Sequence, residues 1–108
     1  MQAGAGLAIV HVLHLTPNLC PASRNPITGS IRVTYTTAGL VAEVVTLLAL
    51  LRTVERASRS VEEIPARVAE VLSTALGVPV RCTLVASIHP GPQSIEVTCE
   101  VLPRHAHG

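Results

Sequence analysis

The sequence predicts an α+β domain in the order β-β-α-α-β-β, with one four-stranded antiparallel sheet and two helices on one face. Three observations carry this. Apolar and polar residues alternate over residues 30–36, 80–88 and 94–102, which is the period of a half-buried strand. Between residues 39 and 77 the period becomes that of a helix, interrupted once near Ser60. A chain of 108 residues also has room for one core, so a single domain is expected.

Residues 7–15 are β-rich and apolar on both parities, the pattern of a strand covered on both faces. His11 and His14 lie an odd number of residues apart in that strand, so they face opposite ways and do not share a metal ion. Residues 18–29 form a proline-braced connection carrying Cys20-Pro21. The next strand puts Ile31, Val33 and Tyr35 on one face and Arg32, Thr34 and Thr36 on the other, and is expected to pair antiparallel with the first.

A helix is predicted from Gly39 to about Ala57, apolar around most of its circumference in its first three turns. Arg52, Arg56 and Arg59 recur at helical spacing, either as a basic stripe or as a solvated face interrupted by Glu55. Ser60-Val61-Glu62-Glu63 has the form of a capping box opening a second helix, with Pro65 setting the true start a residue or two later. Gly77 and Pro79 end it. If Glu63 serves the cap, Glu62 is left for another role.

The last two strands join through His89-Pro90-Gly91-Pro92-Gln93, a turn signal, and bring Cys82 and Cys99 face to face as small core residues or as an oxidisable pair. The tail, residues 103–108, contains His105 and His107 and is expected to be disordered.

Composition narrows the function classes. Hydrophobic residues make up 48% of the chain, yet Phe and Trp are absent and Tyr35 is the lone aromatic, so Val, Leu, Ile and Ala build the core. Such an apolar surplus points to further surface buried between subunits, as does the need to close the sheet edges. The charged residues are Arg and Glu only, and a net charge of +1 argues against strong nonspecific attraction to nucleic acid or acidic membranes. Three cysteines at 20, 82 and 99 fit neither a disulfide scaffold nor a structural zinc site, and no His or Cys/His cluster has ligand spacing, so no metal is expected. The N-terminus lacks a basic leader region, and the longest apolar run, residues 40–51, contains Glu43 and falls short of the roughly 20 residues a membrane helix needs. A soluble, cytoplasmic protein is the expectation.

Cys20-Pro21, Pro26, Gly29, the strand to Tyr35, Glu43 and Glu62 together resemble the 7-cyano-7-deazaguanine (preQ0) nitrile reductase family over roughly residues 18–101. The element order is similar to the subunit pattern of the tunnelling fold (T-fold), in which several subunits complete a β-barrel and bind purine or pterin substrates at subunit boundaries. Cys20 to Glu62 keeps the family spacing without a gap. The resemblance implies that Cys20 attacks the nitrile carbon to form a covalent thioimide and that Glu62 binds the deazapurine. The chemistry is intelligible: a thiolate is a soft nucleophile for an electrophilic nitrile carbon, and a carboxylate accepts paired N–H bonds from a guanine-like edge.

The resemblance also has departures. The reductase histidine before the substrate glutamate is Val61 here, and the two lysines that bind NADPH in the reductases are Val45 and Leu48; without those lysines NADPH is not expected. This loss is similar to that in the shortened QueF-like amidinotransferases of the archaeosine pathway, whose thioimide on preQ0 in tRNA is attacked by ammonia to give an amidine. Seven residues after the cysteine, the family's proton-donating aspartate is Ile27, leaving His89 as the candidate substitute. An amidinotransferase-like enzyme is therefore expected, with ammonia as co-substrate and Arg24, Arg32, Arg52, Arg56 and Arg59 as candidate tRNA contacts. A T-fold protein that binds a deazapurine or purine without turnover is the alternative. The reading without a function also stands: Cys20 as a turn thiol and Glu62 as a first-turn carboxylate favoured by the helix dipole.

Overall fold

The computed structural model describes residues 6–16, 18–19, 26–88 and 94–103. The elements are β1 (Ala8–His14), β2 (Asn18–Leu19), β3 (Pro26–Thr36), α1 (Val44–Ala57), a 3-10 turn (Val61–Glu63), α2 (Ile64–Leu76), β4 (Val80–Ile88) and β5 (Ser94–Val101). The four long strands form an antiparallel sheet in the order β1-β3-β4-β5, and the two-residue β2 continues along β3 beyond the end of β1. The predicted α+β class, the four-stranded antiparallel sheet and the two helices on one face are all present.

One face of the sheet makes the core. Leu13, Ile31, Val33, Tyr35, Val80, Cys82, Leu84 and Ala86 are buried in one cluster with Leu47, Leu51 and Val54 of α1 and Ile64, Val68, Ala69 and Leu72 of α2. Branched aliphatics interdigitate here in place of aromatics, and Tyr35, at 3% exposure, is the one large ring among them. The other face is open: Val10 and Val12 are 53% and 54% exposed, and Arg32, Arg81, Glu96, Thr98 and Glu100 accompany them. β1 was expected to be covered on both faces. Both helices pack on one side, so within a single chain its even-numbered residues remain in solvent.

α1 begins at Val44, five residues later than the periodicity suggests. Local polar contacts hold the preceding segment out of the helix. The Thr37 hydroxyl donates to the Leu40 carbonyl (2.7 Å) and accepts from the Gly39 N–H (2.9 Å), while Ala42 N–H donates to the Tyr35 hydroxyl (2.9 Å). Tyr35 Oη also lies 3.0 Å from His11 Nε2. Burial lowers the His11 pKa and so favours its neutral imidazole.

α2 starts at Ile64 with Pro65 in its first turn, as the late proline implied, and ends at Gly77 in the left-handed region (φ 70°), whose N–H donates to the Ser73 carbonyl (2.9 Å). β3 extends four residues further toward its N-terminus than the alternating pattern indicated, so Ile27 and Gly29 belong to a strand rather than to a loop. Gly29 is required there: a Cβ would lie 2.5 Å from the Val85 carbonyl oxygen and 2.9 Å from Ala86 Cα, both backbone atoms of β4. No helix among the described residues is long and apolar enough to cross a membrane.

Candidate functional site

The topology gathers several sequence features at one end of the sheet. β4 follows α2 through a short turn at Gly77 and runs back against it, so the start of α2, with Glu62, lies toward the end where β4 finishes and β3 begins. The last turns of α1 are held to that end as well. Glu55 accepts hydrogen bonds from Thr16 N–H (2.8 Å), the Thr16 hydroxyl (3.1 Å) and Arg52 Nη1 (2.7 Å), and Arg52 Nη2 donates to the His14 carbonyl (3.2 Å). A carboxylate on α1 thus grips the chain just where β1 stops.

At that point the ladder changes register. His14 pairs with Ser30, but Asn18 pairs with Ile27, four steps along one strand against three along the other. The pairing of β2 with β3 is thus offset by one residue from that of β1 with β3. Leu15 N–H donates to the Gly29 carbonyl (2.9 Å) beside it. Leu19 pairs with Pro26, and these two residues flank the connection that contains Cys20. Cys20, Arg24 and the proton-donor candidate His89 lie outside the described residues, as do residues 104–108 of the tail.

Glu62 is exposed and has no hydrogen-bond or ion-pair partner among the described residues. The division of labour with Glu63 follows the sequence reading. Glu63 Oε2 accepts from Arg59 N–H (3.0 Å) and Ser60 N–H (3.1 Å), and Oε1 accepts from Arg67 (3.2 Å). Desolvation works to raise the Glu63 pKa, but these donors and the Arg67 charge outweigh it and hold the carboxyl below its ordinary value.

The arginines separate into different environments. Arg52 is committed to Glu55 and the end of β1. Arg56 is exposed in the last turn of α1. Arg59 is exposed but is not on that helix: Ser58 leaves it in extended conformation (φ −86°, ψ 142°), its hydroxyl bonded to the Val54 carbonyl (2.7 Å). The three-arginine stripe therefore loses its helical continuity after Arg56. Arg32 stands exposed on the open sheet face beside Thr83 and Glu96, where a shallow cleft has a volume of about 350 Å³.

A second cleft of about 430 Å³ on the open face is bordered by His14, Thr28, Ser30 and Ser87. Register explains the grouping, since His14, Ser30, Val85 and Glu96 form one row across four strands and Thr28 pairs with Ser87 in the next. Within its own strand His14 has no polar neighbour that marks it out. Its shared parity with Thr28 and Ser30, combined with the hairpin register, is the signal that finds this hydroxyl-lined hollow. Among the described residues no group of three or more His, Cys or Glu side chains is arranged to hold a metal ion.

No protein-family model and no curated protein matches this chain.

Proposed function

We propose that the protein is an amidinotransferase-like enzyme that converts the nitrile of preQ0 in tRNA to an amidine, with Cys20 as nucleophile and Glu62 as the deazapurine-binding carboxylate. In this reaction the Cys20 thiolate adds to the nitrile carbon, and protonation of the nitrogen gives a thioimide. Ammonia then attacks that carbon and expels the thiolate, so nitrile and ammonia are consumed and the amidine is formed. Arg24, Arg32, Arg56 and Arg59 are the proposed phosphate contacts, with Arg52 held in its ion pair. The active form is a homo-oligomer with a T-fold barrel, a reading supported by Val10 and Val12 on the open sheet face and Val44 and Val45 at the start of α1, all more than half exposed.

One observation carries the reading. Glu62 is released from capping by Glu63 and has no partner among the described residues, at the end of the sheet from which the Cys20-bearing connection leaves and returns. A solvated carboxylate without a partner among the described residues is available to accept the N–H groups of a guanine-like edge. Ile27 favours a second reading, a T-fold protein that binds the deazapurine without turnover, because it stands where the resemblance calls for a proton donor.

The deciding experiment incubates the protein with preQ0 and measures its intact mass. A covalent adduct that disappears in Cys20→Ala, together with conversion of preQ0-containing tRNA in ammonium, is expected for the transferase. Noncovalent binding abolished by Glu62→Ala without any adduct would establish the binding protein instead. Neither adduct nor binding overturns both.

A further inference from the structure

The β4–β5 ladder holds Cys82 directly opposite Cys99. Directly paired residues of an antiparallel ladder have Cα atoms about 4.5 to 5.5 Å apart and side chains on the same face, inside the Cα range that disulfides span. Both thiols are free, and they differ in access: Cys82 is fully buried, whereas Cys99 on the outermost strand is partly exposed. Burial, with a smaller contribution from Cys99, pushes the Cys82 thiol up to about 12, so an external oxidant meets Cys99 first.

We infer that Cys82 and Cys99 form an oxidation site, a cross-strand thiol pair that hydroperoxides close to a disulfide independently of Cys20. The Cys99 thiolate attacks the peroxide oxygen, breaking the O–O bond and giving a sulfenic acid and hydroxide. The Cys82 sulfur then attacks the sulfenic sulfur. Its S–H proton and the departing hydroxyl leave as water, so the peroxide is reduced and two thiols are oxidised. The bond ties the edge strand β5 to β4 and spares Cys99 from irreversible over-oxidation.

The test uses the full chain. Cleavage after arginine puts Cys82 and Cys99 on a single peptide, residues 82–104, and Cys20 on another. After hydrogen peroxide treatment, peptide 82–104 should be lighter by two hydrogens and refuse iodoacetamide under denaturing conditions, in the unaltered chain and in Cys20→Ser alike. Dithiothreitol should restore both alkylation sites. Closing this short loop should raise the thermal midpoint by about 10 °C. In Cys99→Ser, peptide 82–104 should keep one alkylatable thiol after peroxide, which holds the test open if Cys82→Ala fails to fold. Cys82 remaining alkylatable while Cys99 over-oxidises, or a disulfide linking either residue to Cys20 or to another chain, overturns the inference.

Discussion

Replacing Glu55 with alanine tests the clamp that holds the end of β1 to α1. The carboxylate accepts three hydrogen bonds, from Thr16 N–H, the Thr16 hydroxyl and Arg52, and its side chain is only 14% exposed. A hydrogen bond to a charged group contributes a net ~1.5–3 kcal/mol where burial protects it, while an exposed ion pair contributes ~0.2–1 kcal/mol. Thr16 is exposed and Arg52 is 37% exposed, so the three bonds fall well below the sum of their maxima. Glu55→Ala should cost about 2 kcal/mol in urea unfolding, a large fraction of the ~5–15 kcal/mol typical of a domain. Arg52→Ala should cost about 1 kcal/mol or less, and the double variant less than the two together because they share one interaction. Amide hydrogen exchange gives the local readout: the Thr16 N–H should lose protection in Glu55→Ala beyond the global change, while β4 amides follow global stability alone. A loss below about 0.5 kcal/mol, or unchanged exchange at Thr16, would refute the clamp.

Gly29→Ala should destabilise the fold by about 3 kcal/mol, measured by the thermal midpoint, because the added carbon meets backbone atoms of β4 at 2.5 and 2.9 Å; a neutral result would mean the strands do not approach so closely. His11 has a folded pKa below its ordinary 6.5, so the unfolded chain binds more protons between the two values. Its contribution to stability is therefore complete above about pH 6.5 and is lost as pH falls through the folded value, and His11→Gln should flatten this slope in urea midpoints taken between about pH 8 and pH 5. Glu62→Ala should leave stability within about 0.5 kcal/mol by urea titration while abolishing preQ0 binding measured calorimetrically; a large stability loss would mark Glu62 as structural.

Much of the site's framework was legible because it depends on local rules. Glu63, not Glu62, serves the cap, since only the third residue after Ser60 is spaced to reach back to its N–H. The arginines show the limit of such rules. Helical spacing assumes a continuing helix, and the Ser58 exit together with the Glu55 partner removes Arg59 and Arg52 from it. The hollow around His14 was invisible until strand register joined residues from β1, β3 and β4.

The sequence by itself determined the class of fold, the two helices, the stop at Gly77 and the parity that sets Cys82 beside Leu84 in the core, because periodicity and turn chemistry act over a few neighbouring residues. Tertiary structure decided what those rules do not reach. Close contact with β4 makes Gly29 part of a strand, and Glu55 of α1 holds Thr16 at the end of β1. Each depends on atoms brought together from distant parts of the chain, so the short-range pattern carries no trace of it. The same holds for the open face of β1: its apolar residues look buried in the sequence, but which side the helices cover is settled only when the core is packed.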